Sequence, residues 1–288
     1  MRCLVTGGNG FLGSHLVDEL LKKGHEVIIF DKKINKWRTD ISKKIVKGDI
    51  TAVNVLEKVF KNIDVVYHFA ALSDLNQAMS RPHDTVNFNI LGTVNVLELS
   101  KKHKVKRVIF SSSIYVNSEQ GGFYRSSKRA AEDYIEEYSR IYGLKFTILR
   151  FGSLYGERSD LNNGVRKIIS SGMNSKYIKY FGDPRSVRKY IYVRDAAKAC
   201  VEVIKKKYEN KHLIINGRNT VTIKKLLHLV NKMYGSKKKI KFYNKKSLGH
   251  YIKNPFTYRF KKGFNYITKN QIKFEKGLKK VFLEINKT

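Results

Sequence analysis

Apolar and polar positions follow two different periods along the first half of the chain. Short continuous apolar runs such as 27–30 are typical of strands that are buried on both faces of a parallel sheet. Between these runs, apolar residues recur at helical spacing, as they do over 11–23, where Gly24 ends the helix. Further strands are predicted at 2–6, 45–46, 65–69, 105–110 and 146–150, and further helices at 53–60, 87–102 and 124–142. This alternation predicts an α/β fold built on a doubly wound parallel sheet, with helices on both faces.

The pattern loosens after residue 150, where loops rich in Gly, Asn and Ser are predicted at 159–164 and 170–175. We therefore expect a smaller second lobe, with two segments that return to the main sheet. These segments are a strand at 190–193 with a helix at 195–205, and a strand at 212–216. The predicted domains are a Rossmann domain at 1–150 with return segments near 187–216, and a smaller lobe made of 151–186 and 217–288.

The composition is that of a folded protein without membrane helices. Of the 288 residues, 42% are hydrophobic, and no apolar run approaches the ~20 residues that a membrane helix needs. Cys3 and Cys200 each lie inside an apolar segment, which argues against a disulfide framework and favours a reducing compartment. The N-terminus runs into the first strand without a signal-peptide cleavage site. We therefore expect a cytoplasmic protein with no membrane partner.

The chain carries a large positive charge. Its 58 Lys and Arg residues against 24 Asp and Glu residues give a formal net charge of +34. Such a charge suits a nucleic-acid binder. The lysines, however, are spread along the chain in short groups near predicted element ends, which is typical of a solvated surface. Attraction of an acidic substrate is the simpler use of this charge, so we expect no nucleic-acid partner, with a basic RNA-binding surface as the alternative.

A glycine turn follows the first predicted strand and opens the first predicted helix. Gly7, Gly10 and Gly13 allow positive φ and close backbone approach, and the helix N-terminus offers N–H groups to a pyrophosphate. Asp31 ends the second strand, where a carboxylate can bond both ribose hydroxyls. An acid there disfavours a 2′-phosphate, so NAD is predicted over NADP, although the two lysines that follow it weaken this preference. The domain at 1–150 is therefore predicted to bind NAD, and the smaller lobe to bind substrate.

Tyr124 and Lys128 stand four residues apart on a predicted helix, so their side chains share one face. A free phenol has a pKa near ~10 and is a poor base at neutral pH. A neighbouring ammonium group favours the phenolate and lowers that pKa. The pair is therefore predicted to form a base that can take a proton from a sugar hydroxyl.

Several motifs resemble those of the extended short-chain dehydrogenase/reductase family, in its nucleotide-sugar epimerase/dehydratase branch of the UDP-glucose 4-epimerase type. The resemblance covers nearly the whole chain. The glycine turn matches the GxxGxxG motif of the family, and 124–128 matches its YxxxK motif. Four further segments resemble its HxAA segment, its N-x-x-G-T helix, its catalytic-serine segment and its late RD[FY]xxVxD motif, at 68–71, 89–93, 111–113 and 187–195.

The resemblance implies a set of site residues and no metal. The implied catalytic residues are Ser113, Tyr124 and Lys128. The implied NAD contacts are Gly7, Gly10, Phe11, Leu12, Gly13, Asp31, Asp49, Ile50, Phe69, Ala70, Ala71, Ser111, Tyr124 and Lys128. The implied substrate contacts are Asn89, Ser113, Tyr124, Ser153 and Arg188. A homodimer through the helices near 87–102 and 124–142 is also implied.

The resemblance further implies a division of work among these residues. Tyr124 takes the proton from the sugar O4 hydroxyl while a hydride passes from C4 to the nicotinamide. Ser113 bonds the same oxygen and stabilises its developing charge. Lys128 binds the nicotinamide ribose and keeps Tyr124 acidic, and Arg188 clamps a phosphate.

Some of these assignments have a structural alternative. Ser113 could cap a turn, Arg188 could be a surface ion-pair residue, and Asn89 could bond backbone near the site instead of ligand. Ser153 stands where the family's NxYGP loop has Asn, so its phosphate contact is open.

Departures from the family pattern reduce the number of reactions that we expect this chain to catalyse. Sugar 4,6-dehydratases carry an Asp-Glu pair after the catalytic serine, and related decarboxylases keep an acid there, whereas this chain has Ile114 and Tyr115. Elimination of water and decarboxylation are therefore disfavoured. The short connection from Ser113 to Tyr124 indicates an open sugar pocket.

We therefore predict an NAD-dependent nucleotide-sugar 4-epimerase that acts on a UDP-hexose through a 4-keto intermediate. The alternative within the family is a 4-keto nucleotide-sugar reductase, which would consume reduced cofactor. The alternative from another class is a non-catalytic dinucleotide- or RNA-binding protein. The aromatic segment near 251–264 could shape the sugar pocket, but the sequence assigns no gatekeeper.

Overall fold

A computed structural model describes residues 1–34, 45–173, 175–243, 249–259 and 271–285. The strands are β1 (Arg2–Thr6), β2 (Glu26–Asp31), β3 (Ile45–Lys47), β4 (Val65–His68), β5 (Arg107–Ser113), β6 (Phe146–Phe151), β7 (Ser153–Tyr155), β8 (Tyr177–Phe181), β9 (Val187–Tyr192), β10 (Lys211–Ile215), β11 (Thr220–Thr222) and β12 (Lys239–Tyr243). The α-helices are α1 (Phe11–Lys22), α2 (Val53–Glu57), α3 (Leu75–Ser80), α4 (Pro82–Val86), α5 (Gly92–Lys102), α6 (Gly122–Tyr142), α7 (Gly164–Met173), α8 (Val193–Glu202), α9 (Ile223–Met233) and α10 (Phe274–Ile285).

The main sheet has seven strands in the order β10-β6-β5-β4-β1-β2-β3, and every neighbouring pair is parallel. The chain runs outward from β1 in one direction and then, starting at β4, in the other. The doubly wound α/β fold predicted from the sequence is therefore confirmed. Ligands of such sheets bind beyond the carboxyl ends of the strands, at the point where the strand order reverses. Here that point lies between β1 and β4.

Alternate residues of the central strands feed two separate hydrophobic cores. In β1, Cys3 and Val5 pack into a core with helices α1 and α8, whereas Leu4 packs into the opposite core with α5 and α6. Strand residues point to opposite faces of a sheet in turn. Both faces of this sheet are covered, which explains why its strands read as continuous apolar runs.

The second half of the chain differs in part from the prediction. The strand expected at 212–216 is β10, which joins the main sheet beside β6. The strand expected at 190–193 does not pair with that sheet, because β9 lies between β11 and β7 in a three-stranded sheet. The helix that follows it, α8, nevertheless packs against α1 on the main sheet.

A third, smaller core organises the region that the sequence predicted to be rich in loops. Helix α7 occupies most of the loop expected at 170–175 and begins at 164. Its Ile168 packs with Ile178 of β8 and Leu227 of α9. This burial stabilises a helix despite its Gly and Ser content, because tertiary packing outweighs weak intrinsic propensity.

Residues 1–258 form one compact unit and residues 259–288 form a second, whose described helix is α10. The predicted boundary near residue 150 stays a prediction. Both cysteines are buried and unpaired with each other. In the described ranges, no helix combines the length and apolar character that crossing a bilayer requires.

Candidate active site

A cleft of about 1400 Å³ opens at the carboxyl ends of the main-sheet strands. Most of the residues that the sequence assigned to a site line it. They are Gly7, Gly10, Phe11, Leu12, Gly13, Asp31, Ile50, Phe69, Ala70, Ala71, Ser111, Ser113, Tyr124, Ser153 and Arg188. Three assigned residues, Asp49, Asn89 and Lys128, are not part of the lining and have supporting positions described below.

The glycine turn is built by close backbone approach. Gly7 has a φ of +73°, and a Cβ atom there would lie 2.6 Å from the Ala70 nitrogen. A Cβ atom at Gly13 would lie 2.1 Å from the Gly7 oxygen. Helix α1 begins at this turn, and its N-cap residue, Gly10, makes no side-chain capping bond. The first turn of α1 therefore faces the cleft as bare backbone, which suits a pyrophosphate.

Asp31 is fixed at the edge of the cleft by two backbone donors. Its Oδ2 accepts from Asn9 N at 2.9 Å, and its Oδ1 accepts from Lys33 N at 3.0 Å. Lys32 also lines the cleft, and its Nζ pairs with Asp49 Oδ2 at 2.7 Å. Burial acts to raise the pKa of Asp49, but the bonds from Lys32 and Thr51 outweigh it and lower that pKa. Asp49 thus restrains the lysine that could have favoured a 2′-phosphate.

Tyr124 and Lys128 lie on helix α6, which brings both next to the end of β5. Lys128 is 2% exposed and its Nζ donates to Ser111 O at 2.7 Å. Ser113 Oγ accepts from Tyr115 N at 3.3 Å, so this serine also caps the 3₁₀ turn at Ile114–Asn117. The catalytic and capping interpretations of Ser113 are therefore compatible in this structure.

The pKa values of Tyr124 and Lys128 differ from the expectation. Burial raises the pKa of Tyr124 to about 12, and a hydrogen bond with Ser113 opposes the shift only in part. Burial also lowers the pKa of Lys128 to about 7, against the attraction of Glu132. The expected lowering of the Tyr124 pKa by Lys128 is not seen in this structure, because burial disfavours the charged phenolate and Ser113 is the group that opposes the shift.

Glu132 is a site residue that the sequence analysis missed. It is 3% exposed, accepts a short hydrogen bond from Ser112 Oγ, and pairs with Arg150 Nη2 at 2.5 Å. Helix α6 therefore contacts all three serines at the end of β5, through one residue in each of three successive turns. The spacing of Glu132, four residues after Lys128, could have revealed it.

Asn89 supports the wall of the cleft instead of lining it. Its Oδ1 accepts from Leu72 N at 2.7 Å, and its Nδ2 donates to Leu72 O at 3.1 Å and to Ser127 Oγ at 2.9 Å. Asn89 therefore bonds backbone, as the structural alternative expects, and the substrate contact implied for it stays a prediction. Its partners hold the segment after β4 against helix α6.

A buried histidine orients that same segment. Burial lowers the pKa of His68 to about 3, so the ring is neutral. Thr93 donates to Asn89 O at 2.7 Å and lies 3.1 Å from His68 Nε2, which assigns the ring proton to Nε2. Thr6 Oγ1, at 2.8 Å from His68 Nδ1, then donates to it and accepts from Ala70 N at 3.3 Å.

The substrate side of the cleft converges on Tyr251, which is buried. Arg188 stacks over the Tyr251 ring at 4.1 Å, and its Nη1 donates to Val187 O at 2.7 Å and to Ile252 O at 3.2 Å. Ser153 bonds the Tyr251 hydroxyl, which opposes the rise in the Tyr251 pKa that burial causes. The segment 250–254 lines the cleft, next to and partly within the aromatic segment near 251–264 that was expected to shape the sugar pocket.

The fold and the cleft together define an α/β dinucleotide-binding protein with a Ser-Tyr-Lys group beside its nucleotide turn. Within the described ranges, no group of three or more His, Cys, Asp or Glu residues is placed to hold a metal ion. The model of the NAD dependent epimerase/dehydratase family matches residues 3–216, so the chain belongs to that family.

Several known proteins resemble the chain over most of its length. A putative UDP-glucose 4-epimerase of Methanocaldococcus jannaschii is 32% identical over 252 residues, which are 81% of this chain and 82% of the relative. A UDP-glucuronate 4-epimerase of Thermodesulfobacterium geofontis is 28% identical over 84% of this chain and 83% of the relative. The crystal structure of Thermus thermophilus UDP-glucose 4-epimerase in complex with NAD has a TM-score of 0.78 and 26% identity, and the match covers 88% of this chain and 91% of that one. The predicted family, fold and NAD cofactor are confirmed.

Proposed function

We propose that the protein is an NAD-dependent nucleotide-sugar 4-epimerase that acts on a UDP-hexose. The observation that carries this proposal is the placement of Ser113 and Tyr124 in the same cleft as the glycine turn and Asp31, with Lys128 directly behind them. A UDP-sugar substrate is supported by the similarity of the chain to a putative UDP-glucose 4-epimerase and to a UDP-glucuronate 4-epimerase.

NAD fits the residues present. Bare backbone of α1 would receive its pyrophosphate, and Asp31 would accept from its ribose hydroxyls. The chemistry that bound NAD would supply is the acceptance and return of a hydride at the sugar C4.

Two side chains of the protein would act on the sugar O4 hydroxyl. Tyr124 would take its proton, and the Ser113 hydroxyl would donate to the same oxygen and stabilise its charge. A phenol with a pKa of about 12 is a strong base once ionised but is scarcely ionised at neutral pH. Protonated Lys128 is the group of this site whose charge would stabilise the phenolate, which makes the protonation of Lys128 important for the rate.

The acids that other reactions of the family need are missing next to Ser113. Ile114 is buried, and Tyr115 lines the cleft with its hydroxyl bonded to His250. This supports epimerisation over elimination of water and over decarboxylation.

The test is an assay of the purified protein with NAD and a panel of UDP-sugars, read by chromatography of the nucleotide sugars. Equilibration of UDP-glucose with UDP-galactose, or of their N-acetyl forms, without net change in NADH absorbance is the expected result. Tyr124→Phe should lower kcat by about 10²- to 10⁴-fold, whereas Tyr134→Phe, on the exposed side of the same helix, should not. Stoichiometric NADH consumption with a 4-keto sugar would identify the reductase instead, and activity that survives Tyr124→Phe would argue for a non-catalytic Tyr124.

We also propose that the protein works as a homodimer in the cytoplasm. The support for a dimer is a stripe of exposed apolar side chains along helix α6, formed by Phe123, Tyr134 and Ile141. The support for the location is the pair of buried thiols, Cys3 and Cys200, which have no disulfide partner among the described residues.

A further inference from the structure

A hydrogen-bonded pair, Tyr115 and His250, lies in the wall of the cleft and takes no part in the proton transfer described above. The Tyr115 hydroxyl is 2.6 Å from His250 Nδ1, and both residues line the cleft. The backbone N–H of Tyr115 donates to Ser113 Oγ, so the pair is attached directly to a proposed catalytic residue. Its position next to the reacting group makes it a candidate for contact with the sugar.

The pair is held in place from both sides. The Tyr115 ring packs against the Tyr251 ring at 5.3 Å between centroids. The segment that carries His250 is fastened at two points, where Val187 N donates to Ile252 O at 2.9 Å and Thr257 N donates to Asn117 O at 2.9 Å. Such restraint is what a recognition element needs, since little ordering is then left to occur when a ligand binds.

Both members of the pair are neutral near pH 7. Desolvation at the cleft wall, helped by the positive charge of Arg188 and opposed by Asp74, lowers the pKa of His250 to about 4, although the residue keeps part of its surface exposed. Burial also raises the pKa of Tyr115, which the charge of Arg188 only partly opposes. A neutral imidazole nitrogen is a better acceptor than a phenol oxygen, so we assign the Tyr115 proton to the bond with Nδ1 and the ring proton to Nε2.

This assignment fixes what the pair can offer to a ligand. The Tyr115 oxygen offers lone pairs, and His250 Nε2 offers an N–H donor. A neutral group that both donates and accepts, such as a hydroxyl, complements the two. A carboxylate only accepts, so it would meet the Tyr115 lone pairs without a proton between them. The cation that acts on both groups, Arg188, already donates to two carbonyl oxygens.

We propose that the Tyr115–His250 pair is a specificity determinant that selects a UDP-sugar with a neutral hydroxyl at this point over one with a carboxylate. The proposal rests on the proposed function, because it requires the cleft to hold a nucleotide sugar. Discrimination by this kind of polar mismatch is strong, since the wrong ligand leaves polar groups of the site unpaired.

The experiment compares UDP-glucose with UDP-glucuronate, by calorimetric binding to the NAD-loaded protein and by kcat/KM. The wild type is expected to prefer UDP-glucose. Tyr115→Phe and His250→Gln should each lower the affinity and the kcat/KM for UDP-glucose by about tenfold, the equivalent of one lost hydrogen bond. The same quantities for UDP-glucuronate should change by no more than about twofold. Tyr258→Phe is the matched control, because it removes a hydroxyl from the same segment outside the cleft lining and keeps the ring that Arg129 covers.

The outcomes separate the two proposals. A wild-type preference for UDP-glucuronate, or an unchanged ratio in both variants with NAD affinity intact, would overturn the role of the pair. If one variant fails to fold, as judged by its melting temperature, the other decides. If the wild type binds UDP-sugars but epimerises none of them, the proposed function fails, while the binding ratios still test the pair.

Discussion

At the scale of single residues, burial dominates the chemistry of the site. Tyr124 and Lys128 both lose solvent, so the pKa of the phenol rises to about 12 and that of the ammonium group falls to about 7. Each change disfavours the charged form, which is the general effect of desolvation. Glu132 is the group that works against the loss of charge on Lys128. The sequence showed the spacing of these residues but not their burial.

Glu132→Gln should shift the pH dependence of the rate. The glutamate raises the pKa of Lys128, so its removal should lower that pKa below about 7 and deprotonate the lysine at a lower pH. If the protonated lysine supports catalysis, the alkaline limb of kcat should move to lower pH by about one unit. The measurement is kcat against pH with a saturating UDP-sugar.

Groups from several elements surround Glu132, so the control variant should change a glutamate that shares one of these neighbours but lies away from Lys128. Arg150 of β6 and Ser112 of β5 bond it, and His212 of β10 lies 3.6 Å from its Oε2. Glu136→Gln is the matched control, because Glu136 pairs with the same His212, one turn further along α6 and away from Lys128. If the alkaline limb of kcat stays at the same pH in Glu132→Gln, and the variant has a normal melting temperature, the proposed electrostatic role of Glu132 is wrong.

At the scale of elements, two contacts position the site. Helix α6 docks on the serines at the end of β5, and helix α1 docks on the glycine turn that follows β1. Both docking surfaces are made of small residues or short polar bonds, so the helices lie close to the strand ends. These elements were predictable from hydrophobic periodicity, and the glycines predicted the close approach at the turn, whereas the bonds from Lys128 and Glu132 of α6 to the serines of β5 were not predicted.

Gly13→Ala should weaken NAD binding. The added Cβ would lie 2.1 Å from a backbone oxygen, which cannot move as a flexible side chain can. Overpacking of this kind costs about 1–3 kcal/mol, which corresponds to about a 5- to 150-fold change in a dissociation constant if the strain falls on the bound turn. Titration of tryptophan or NADH fluorescence measures the affinity.

Gly277→Ala is the control for this change, because a Cβ there meets nothing closer than 3.9 Å. It should leave NAD affinity unchanged. Equal affinities of Gly13→Ala and the wild type would contradict the close approach of α1 to the turn.

At the scale of the whole molecule, the exposed apolar stripe of helix α6 is the feature that bears on assembly. Phe123, Tyr134 and Ile141 recur at helical spacing on its exposed side, opposite the face that carries Lys128 and Glu132. An exposed apolar stripe on a helix is typical of an interface. The same helix would then carry the catalytic residues on one face and a partner on the other.

Light scattering after size exclusion should give about twice the chain mass of 33.4 kDa for the wild type. Tyr134→Glu should shift the protein to the monomer, because Tyr134 is 47% exposed at the centre of the stripe and a charge there would be buried without a partner. Met233→Glu, at an apolar position on α9 that is more exposed than Tyr134, should not change the mass. A monomeric wild type would refute the dimer.

The sequence by itself determined the alternation of strands and helices in residues 1–150 apart from helices α3 and α4, together with the parallel sheet, the glycine turn and the placement of Ser113 and Tyr124 at one edge. It could do so because helix and strand periods are local, and because the carboxyl ends of parallel strands meet at one edge of the sheet. The motifs at these ends therefore converge whatever the remaining chain does.

Only the tertiary structure decided the rest. Helix α7 forms because Ile168 packs into the third core. Asn89 bonds backbone because Leu72 lies beside it. His250 bonds Tyr115, which is 135 positions away in the chain. The pKa values of Tyr124 and Lys128 also depend on burial, which is a property of the folded surroundings. Long-range contacts and solvent exclusion have no local period in a sequence, so these features became visible only in the fold.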